Sequence, residues 1–148
     1  MYTLLLSKII TMKVYQTSTK PFTGTKYIDV YKKAFSLYRQ IKANTKRRPY
    51  IRSAYFRNEK IFLGLFWQHL NQKNWKDRTR RLKFYPCGIE LIKNSKNTPI
   101  SKDDPSNSNH ILHRFGGITL ADEFFYVQIK ESKITDQKFL ISIFPDSK

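Results

Sequence analysis

The strongest constraint on this fold is near the C-terminus, in residues 111–145, ILHRFGGITLADEFFYVQIKESKITDQKFLISIFP. Two segments there alternate strictly. In Phe124–Lys130, Phe125, Val127 and Ile129 share one side and Phe124, Tyr126, Gln128 and Lys130 the other. In Lys138–Phe144, Phe139, Ile141 and Ile143 oppose Lys138, Leu140, Ser142 and Phe144. A period of two belongs to strands, whose successive side chains leave opposite faces. The polar run Glu131–Gln137 between them has the composition of a hairpin connection. Each strand therefore offers an apolar face that needs a cover and a mixed face. The mixed face is the expected working surface, with Tyr126, Gln128, Lys130, Lys138 and Ser142 on it and His113 and Arg114 entering just upstream.

The cover can come from the N-terminal half, which reads as helical. Ile28, Tyr31, Phe35, Tyr38 and Ile41 recur at three- and four-residue steps, so the spacing predicts an amphipathic helix over Tyr27–Ala43. Pro49 breaks the pattern, and Ile51–Phe56 is ambiguous between strand and loop. Asn58 suits an N-cap for a second helix through Ile61, Phe62, Leu65, Phe66 and His69, which is expected to be the main helix on the sheet. Asn74 can cap a third helix, Trp75–Tyr85, and Pro86 can start a short fourth one through Lys93. Asn94–Asn109 reads as a loop. Helices first and antiparallel strands after is an α+β pattern. The expected architecture is N-terminal helices packed on a small C-terminal antiparallel sheet. Residues 1–24 are expected to be a poorly ordered or weakly structured leader, and 25–148 a single domain. Within it, 25–93 is the helical part, 94–109 the loop and 110–145 the sheet.

The charge narrows the partner. A formal net charge of +17 comes from 28 Lys and Arg against 11 Asp and Glu. Such a chain needs a polyanion, an anionic surface or an acidic protein to neutralise it. Lys46–Lys83 carries Arg47, Arg48, Arg52, Arg78, Arg80, Arg81 and Lys83 among its cations, against only Glu59 and Asp77. Arginine forks suit phosphate, and the interleaved Tyr50, Tyr55, Phe56, Trp75 and Tyr85 suit base stacking, the usual chemistry of single-stranded or looped RNA. Phe56, Phe62 and Trp75 are expected in the core all the same. One cysteine, Cys87, excludes an intrachain disulfide and points to a reducing, cytoplasmic setting. No stretch is long and apolar enough to span a bilayer.

Cleaving RNA without a metal takes a base for the 2′-hydroxyl, an acid for the leaving oxygen and cations for the phosphorane. Histidine serves the first two roles near neutral pH. His69 lies on an apolar helical face and suits a core position. His110 and His113 are three apart, face opposite ways on a strand and have no third donor nearby, so no metal site and no cofactor is expected. His113 beside Arg114 is the catalytic candidate, or else a structural histidine bonded to backbone. Gln128, Lys130, Lys138 and Ser142 would share one side of a paired hairpin, as a phosphate cradle or as an ordinary solvated hairpin mouth.

The ordered segments RRPYIRSAYF, EKIFLGLFWQHL, RTRRLKFYPCGIELI, HILHRFGGIT, FFYVQIK and KFLISIFP resemble the phage and mobile-element branch of the BECR (barnase–EndoU–colicin–RelE-like) nucleases, across about residues 46–145. That resemblance implies a helical part on a four-stranded antiparallel sheet, with metal-independent endoribonuclease chemistry on the sheet's open face. It implies a toxin or phage-defence role and an acidic antitoxin or immunity protein as a partner. The matching positions are His113 and Arg114, Gln128 and Lys130, and Lys138 and Ser142. The strands show no obvious acid to act as base, unlike barnase-like members. A His113 mechanism, a RelE-like mechanism run by basic residues, a non-catalytic RNA- or DNA-binding module and a basic protein docking an acidic partner all remain open.

Overall fold

The computed structural model describes residues 13–146. In chain order the elements are β1 (Val14–Gln16), α1 (Tyr27–Ala43), β2 (Tyr50–Ser53), β3 (Glu59–Phe62), α2 (Gly64–Leu70), α3 (Trp75–Lys83), α4 (Tyr85–Asn94), β4 (Ile100–Asp104), β5 (Asn107–Ile118), β6 (Phe124–Ser132) and β7 (Lys138–Pro145).

The protein is a mixed α and β fold, but the sheet is neither small nor purely C-terminal. It has seven strands in the order β1-β5-β6-β7-β3-β2, with β4 also paired to β5. The antiparallel β6–β7 hairpin is the part its alternation predicts, and β5 pairs with β6 to complete a meander. Strands from the N-terminal half extend it on both sides: β1 runs parallel to β5, β3 runs parallel to β7, and β2 pairs antiparallel with β3. Helical and sheet parts are therefore interleaved along the chain, and one buried cluster draws on both.

The departures from expectation have local causes. Asn58 does not cap a helix. Arg57 and Asn58 both take positive φ in the turn joining β2 to β3, and the helix starts only at Gly64. Asparagine tolerates that left-handed conformation better than most residues, which suits it to a turn as well as to a cap. The segment 94–109 is not a loop but holds β4 and the start of β5. This hairpin is polar and exposed, paired through its backbone, so it carries no hydrophobic period. From Val14 the chain is not a loose leader either: Val14–Gln16 pairs with Gly116–Ile118. The Glu90 carboxylate accepts hydrogen bonds from the Tyr15 hydroxyl (2.8 Å), Thr19 N–H (2.8 Å) and Ser18 N–H (3.0 Å). Residues 1–12 of the expected leader lie outside the described residues.

Helix α4 is the most buried helix, with Tyr85 through Ile89, Leu91 and Ile92 all inside, rather than the segment expected to serve as the main helix. Pro86 sits in its first turn as expected. Gly88 lets it close on β7, because a Cβ there would collide with Ile143. Helix α1 has the predicted bounds, but its inner line is Val30 and Ala34, with Tyr31, Leu37, Tyr38 and Ile41 half-buried and Ile28 52% exposed. Helix α3 is capped as the sequence implies: Asn74 Oδ1 accepts from Asp77 N–H at 2.9 Å. Its Trp75 is not core but 63% exposed, while Phe56 and Phe62 are partly buried.

Candidate nucleic-acid interface

One face of the sheet is covered by helices and the other is open. On β6 the apolar side, Phe125, Val127 and Ile129, is buried, and Tyr126, Gln128 and Lys130 lie on the open side. Paired residues in neighbouring strands share a face, so the registers extend this surface. Leu112, Lys130, Phe139, Phe62 and Tyr50 stand in register as one cross-strand row. Arg114, Gln128 and Ser142 form the next, and Gly116, Tyr126 and Phe144 the one beyond. Arg52 and Lys60 pair beside the first row on β2 and β3. On β2, β3, β5, β6 and β7 the positions facing this way include Arg52, Lys60, Arg114 and Lys130 and no carboxylate.

Aromatic rings and cations alternate across it. The Arg48 guanidinium lies 4.0 Å from the Phe62 ring centre, and the Lys60 ammonium 4.7 Å from that of Tyr50. Arg52 lies 5.5 Å from the Tyr50 ring and donates to the Asn58 carbonyl. Phe62 and Phe139 are 5.9 Å apart. Arg114 donates to Gln128 Oε1 at 3.1 and 3.3 Å. From the far side Arg81 of α3 donates to Ser142 Oγ at 2.7 Å, and its Nε contacts Asp77 at 3.2 Å. Arg81 and Arg114 both lie against Phe144, at 5.2 and 5.4 Å from the ring centre.

A bulge in β7 decides which residues reach this face. Gln128 pairs with Ser142 but Ile129 pairs with Leu140, so Ile141 is an extra residue. The extra residue inverts the facing of everything before it in β7. Phe139 therefore joins the open face, and Leu140 and Lys138 turn to the covered one, opposite to the simple alternation. Lys138 is 4% exposed and donates to Glu59 Oε1 at 2.6 Å. It belongs to no phosphate cradle with Lys130.

His113 is also on the covered face. It is 8% exposed and lies 5.1 Å from Phe56, ring to ring. Its Nδ1 is 2.6 Å from Ser101 Oγ and its Nε2 is 2.7 Å from Glu131 Oε1, while Glu131 Oε2 stands 3.7 Å from the Lys138 ammonium. Glu131 lies within β6, not in the connection after it, so the strands do carry an acid, on the side away from the basic face. These contacts form one polar chain that ties β3, β4, β5, β6 and β7 together. The partners of His113 are thus side chains, Ser101 and Glu131, rather than backbone.

His69 is the histidine that sequence reasoning assigned elsewhere. It closes α2, is half-exposed, and its pKa is lowered first by burial and then by the nearby charges of Lys130 and Lys73. A pKa below the ordinary value leaves the ring neutral at pH 7, the form that accepts a proton. The basic run itself divides. Arg81 and Arg48 join the open face, Arg52 lies at its edge, and Arg47 is exposed at the turn before β2. Arg78 is held by the carbonyls of Lys73 and Asn71, both at 2.7 Å. Arg80 and Lys83 lie on the other side of α3. Of the open-face rings, Tyr50 reads in the sequence as a stacking residue and Phe144 as lying on the mixed side, whereas Phe62 is expected in the core and Phe139 on the apolar side.

Cys87 is buried, with its thiol pushed up to about 12 by that burial, so it is no nucleophile. Among the described residues no three His, Cys, Asp or Glu side chains are grouped to hold a metal ion. No helix among them is long and apolar enough to cross a membrane. No protein-family model matches the chain, and no match to it was found among curated proteins or solved structures.

Proposed function

We propose that this protein binds single-stranded RNA across the open face of its sheet. The observation that carries this reading is the row Lys130, Phe139, Phe62 and Tyr50, with Arg48 and Lys60 over its rings and no carboxylate facing the same way on those strands. The rings of Tyr50, Phe62 and Phe139 are half-buried; ring faces that reach the surface accept unpaired bases of any sequence, and the cations between them follow the phosphates. A duplex hides its base faces and would leave the rings unused. The net charge supplies long-range attraction to the same ligand. A cytoplasmic setting, with RNA rather than a membrane as the polyanion, belongs to this reading. The test is fluorescence anisotropy with a labelled single-stranded RNA across a salt series, beside the matching DNA and duplex. Binding that weakens steeply with salt and favours the single strand supports the reading. A preference for the duplex, or binding indifferent to salt, overturns it.

A second reading, cleavage of the bound strand, is favoured by His69. A neutral imidazole near Lys130 is a suitable base for the 2′-hydroxyl, and Lys130, Arg81 and Arg114 are suitable cations for the phosphorane. This is the endoribonuclease activity the BECR resemblance implies, with the base on α2 and not at His113. Cleavage of labelled RNA in the presence of EDTA should fall by about two to four orders of magnitude in His69→Ala. Full cleavage by that variant, with loss in a folded His113→Ala, would overturn the assignment.

A further inference from the structure

Helix α3 has a second basic side that the open face does not use. Adjacent residues of a helix point about 100° apart, so Arg81 turns to Ser142 while Arg80 turns away. Lys76, Arg80 and Lys83 are spaced four and three apart and form one stripe. They line an open cleft of ≈ 400 Å³ with Tyr27, Trp75 and Thr79. Trp75 is the distinctive member, as the most exposed aromatic side chain among the described residues. Its 63% exposure is not a loose end. The Tyr27 ring meets it edge-on at 4.7 Å and the Arg78 guanidinium lies 4.6 Å from its ring. Arg78 is in turn fixed by two backbone carbonyls. The indole is thus held in place and still offers surface to solvent. No carboxylate lines the cleft. Beside it, Asp77 reaches Arg80 Nη2 at 3.3 Å and also serves Arg81, and Asp122, Glu123 and Asp146 line a neighbouring cleft with Arg80 and Lys83.

We propose that this cleft binds a nucleoside phosphate, with the base stacked on Trp75 and the phosphate held by Lys76, Arg80 and Lys83. An immobilised indole with three cations on one side suits a ligand that is aromatic at one end and anionic at the other. The ligand is either a free nucleotide or the phosphorylated end of an RNA strand. The site uses none of the open-face residues, so it stands or falls independently of the sheet.

The chain has two tryptophans, Trp67 and Trp75, and Trp67 is half-buried between α1 and α4. Titration of the full chain with adenosine 5′-monophosphate should quench tryptophan emission saturably. Trp75→Phe should abolish the quench. An Arg80→Gln/Lys83→Gln double variant, shown folded by circular dichroism, should weaken the apparent affinity by about tenfold or more, as expected on losing two phosphate contacts. Adenosine without phosphate should bind at least about tenfold more weakly. Arg114→Ala should leave the titration unchanged. A 5′-phosphorylated oligoribonucleotide that outcompetes its 5′-hydroxyl counterpart would identify a strand end as the ligand, and no such difference would identify the free nucleotide. The proposal fails if the monophosphate gives no saturable quench, if adenosine binds as well as the monophosphate, or if Arg114→Ala weakens the titration as much as the double variant does.

Discussion

Arg81 and Arg114 lie against the same ring, with guanidinium carbons 5.2 and 5.4 Å from the centre of Phe144. One comes from α3 and the other from β5, and Gln128 and Ser142 stand in register between them. Two like charges gathered at one site repel, and an anion placed between them relieves that repulsion. Arg81→Ala and Arg114→Ala should each weaken RNA binding by about tenfold and flatten the salt dependence by about one phosphate contact. Anisotropy titrations at several salt concentrations measure both effects. Lys133→Ala, outside the rows of the open face and paired to Asp103, should change binding little.

The aromatic row should contribute through stacking more than through charge. Phe139→Ala is expected to weaken single-stranded RNA binding by about 1–3 kcal/mol, with little change in the salt slope. The same titrations separate the two kinds of residue, and thermal melts show whether the variant keeps its fold.

The chain Ser101–His113–Glu131–Lys138–Glu59 should prove structural. Lys138 is buried, Glu131 largely so, and Glu59 is half-exposed, so removing the ammonium strands chiefly the Glu131 carboxylate. Lys138→Ala should cost about 1–3 kcal/mol of stability. Denaturant titration reads that loss, while RNA affinity of the folded fraction should stay near wild type. His113→Ala should behave in the same manner.

The N-terminal strand should respond to acid. Burial alone raises the pKa of Glu90, but hydrogen bonds from Thr19, Ser18 and Tyr15 outweigh it and hold the carboxyl at about 2, against an ordinary 4.5. A depressed carboxylate pKa stabilises the fold above the unfolded value, and that contribution is lost as pH falls from about 4.5 towards 2. The carboxylate remains partly solvated, so the contribution is about 1 kcal/mol after screening. Urea unfolding of wild type and Glu90→Gln should differ at pH 7, and the difference should shrink as pH falls below about 4.5 and close only towards pH 2.

The elements legible in the sequence were those where one signal acted alone. The helical period of 27–43, Asn74 before α3, Pro86 at the start of α4 and the alternation of 124–130 each mark an element correctly. Three features were not legible because long-range pairing decides them. Ile61 and Phe62 fit a helical pattern equally well, but the turn at Arg57 and Asn58 commits them to β3. The hairpin of β4 and β5 buries too little to show a period. The extra residue Ile141 reads as ordinary alternation in one strand and appears only against β6. That residue alone moves Lys138 off the open face and Phe139 onto it. His113 followed from no such slip. It reads as catalytic by residue type, and only the position of Glu131 at the covered end of β6 shows what it bonds.

The most direct test of the open-face account is ultraviolet cross-linking of the protein to bound single-stranded RNA, followed by mass-spectrometric mapping of the attached peptides. Cross-links should concentrate at Tyr50, Phe62, Tyr126, Phe139 and Phe144. A bound, cross-linked RNA attached mainly to peptides outside β2, β3, β6 and β7, with these five positions unmodified, would contradict it.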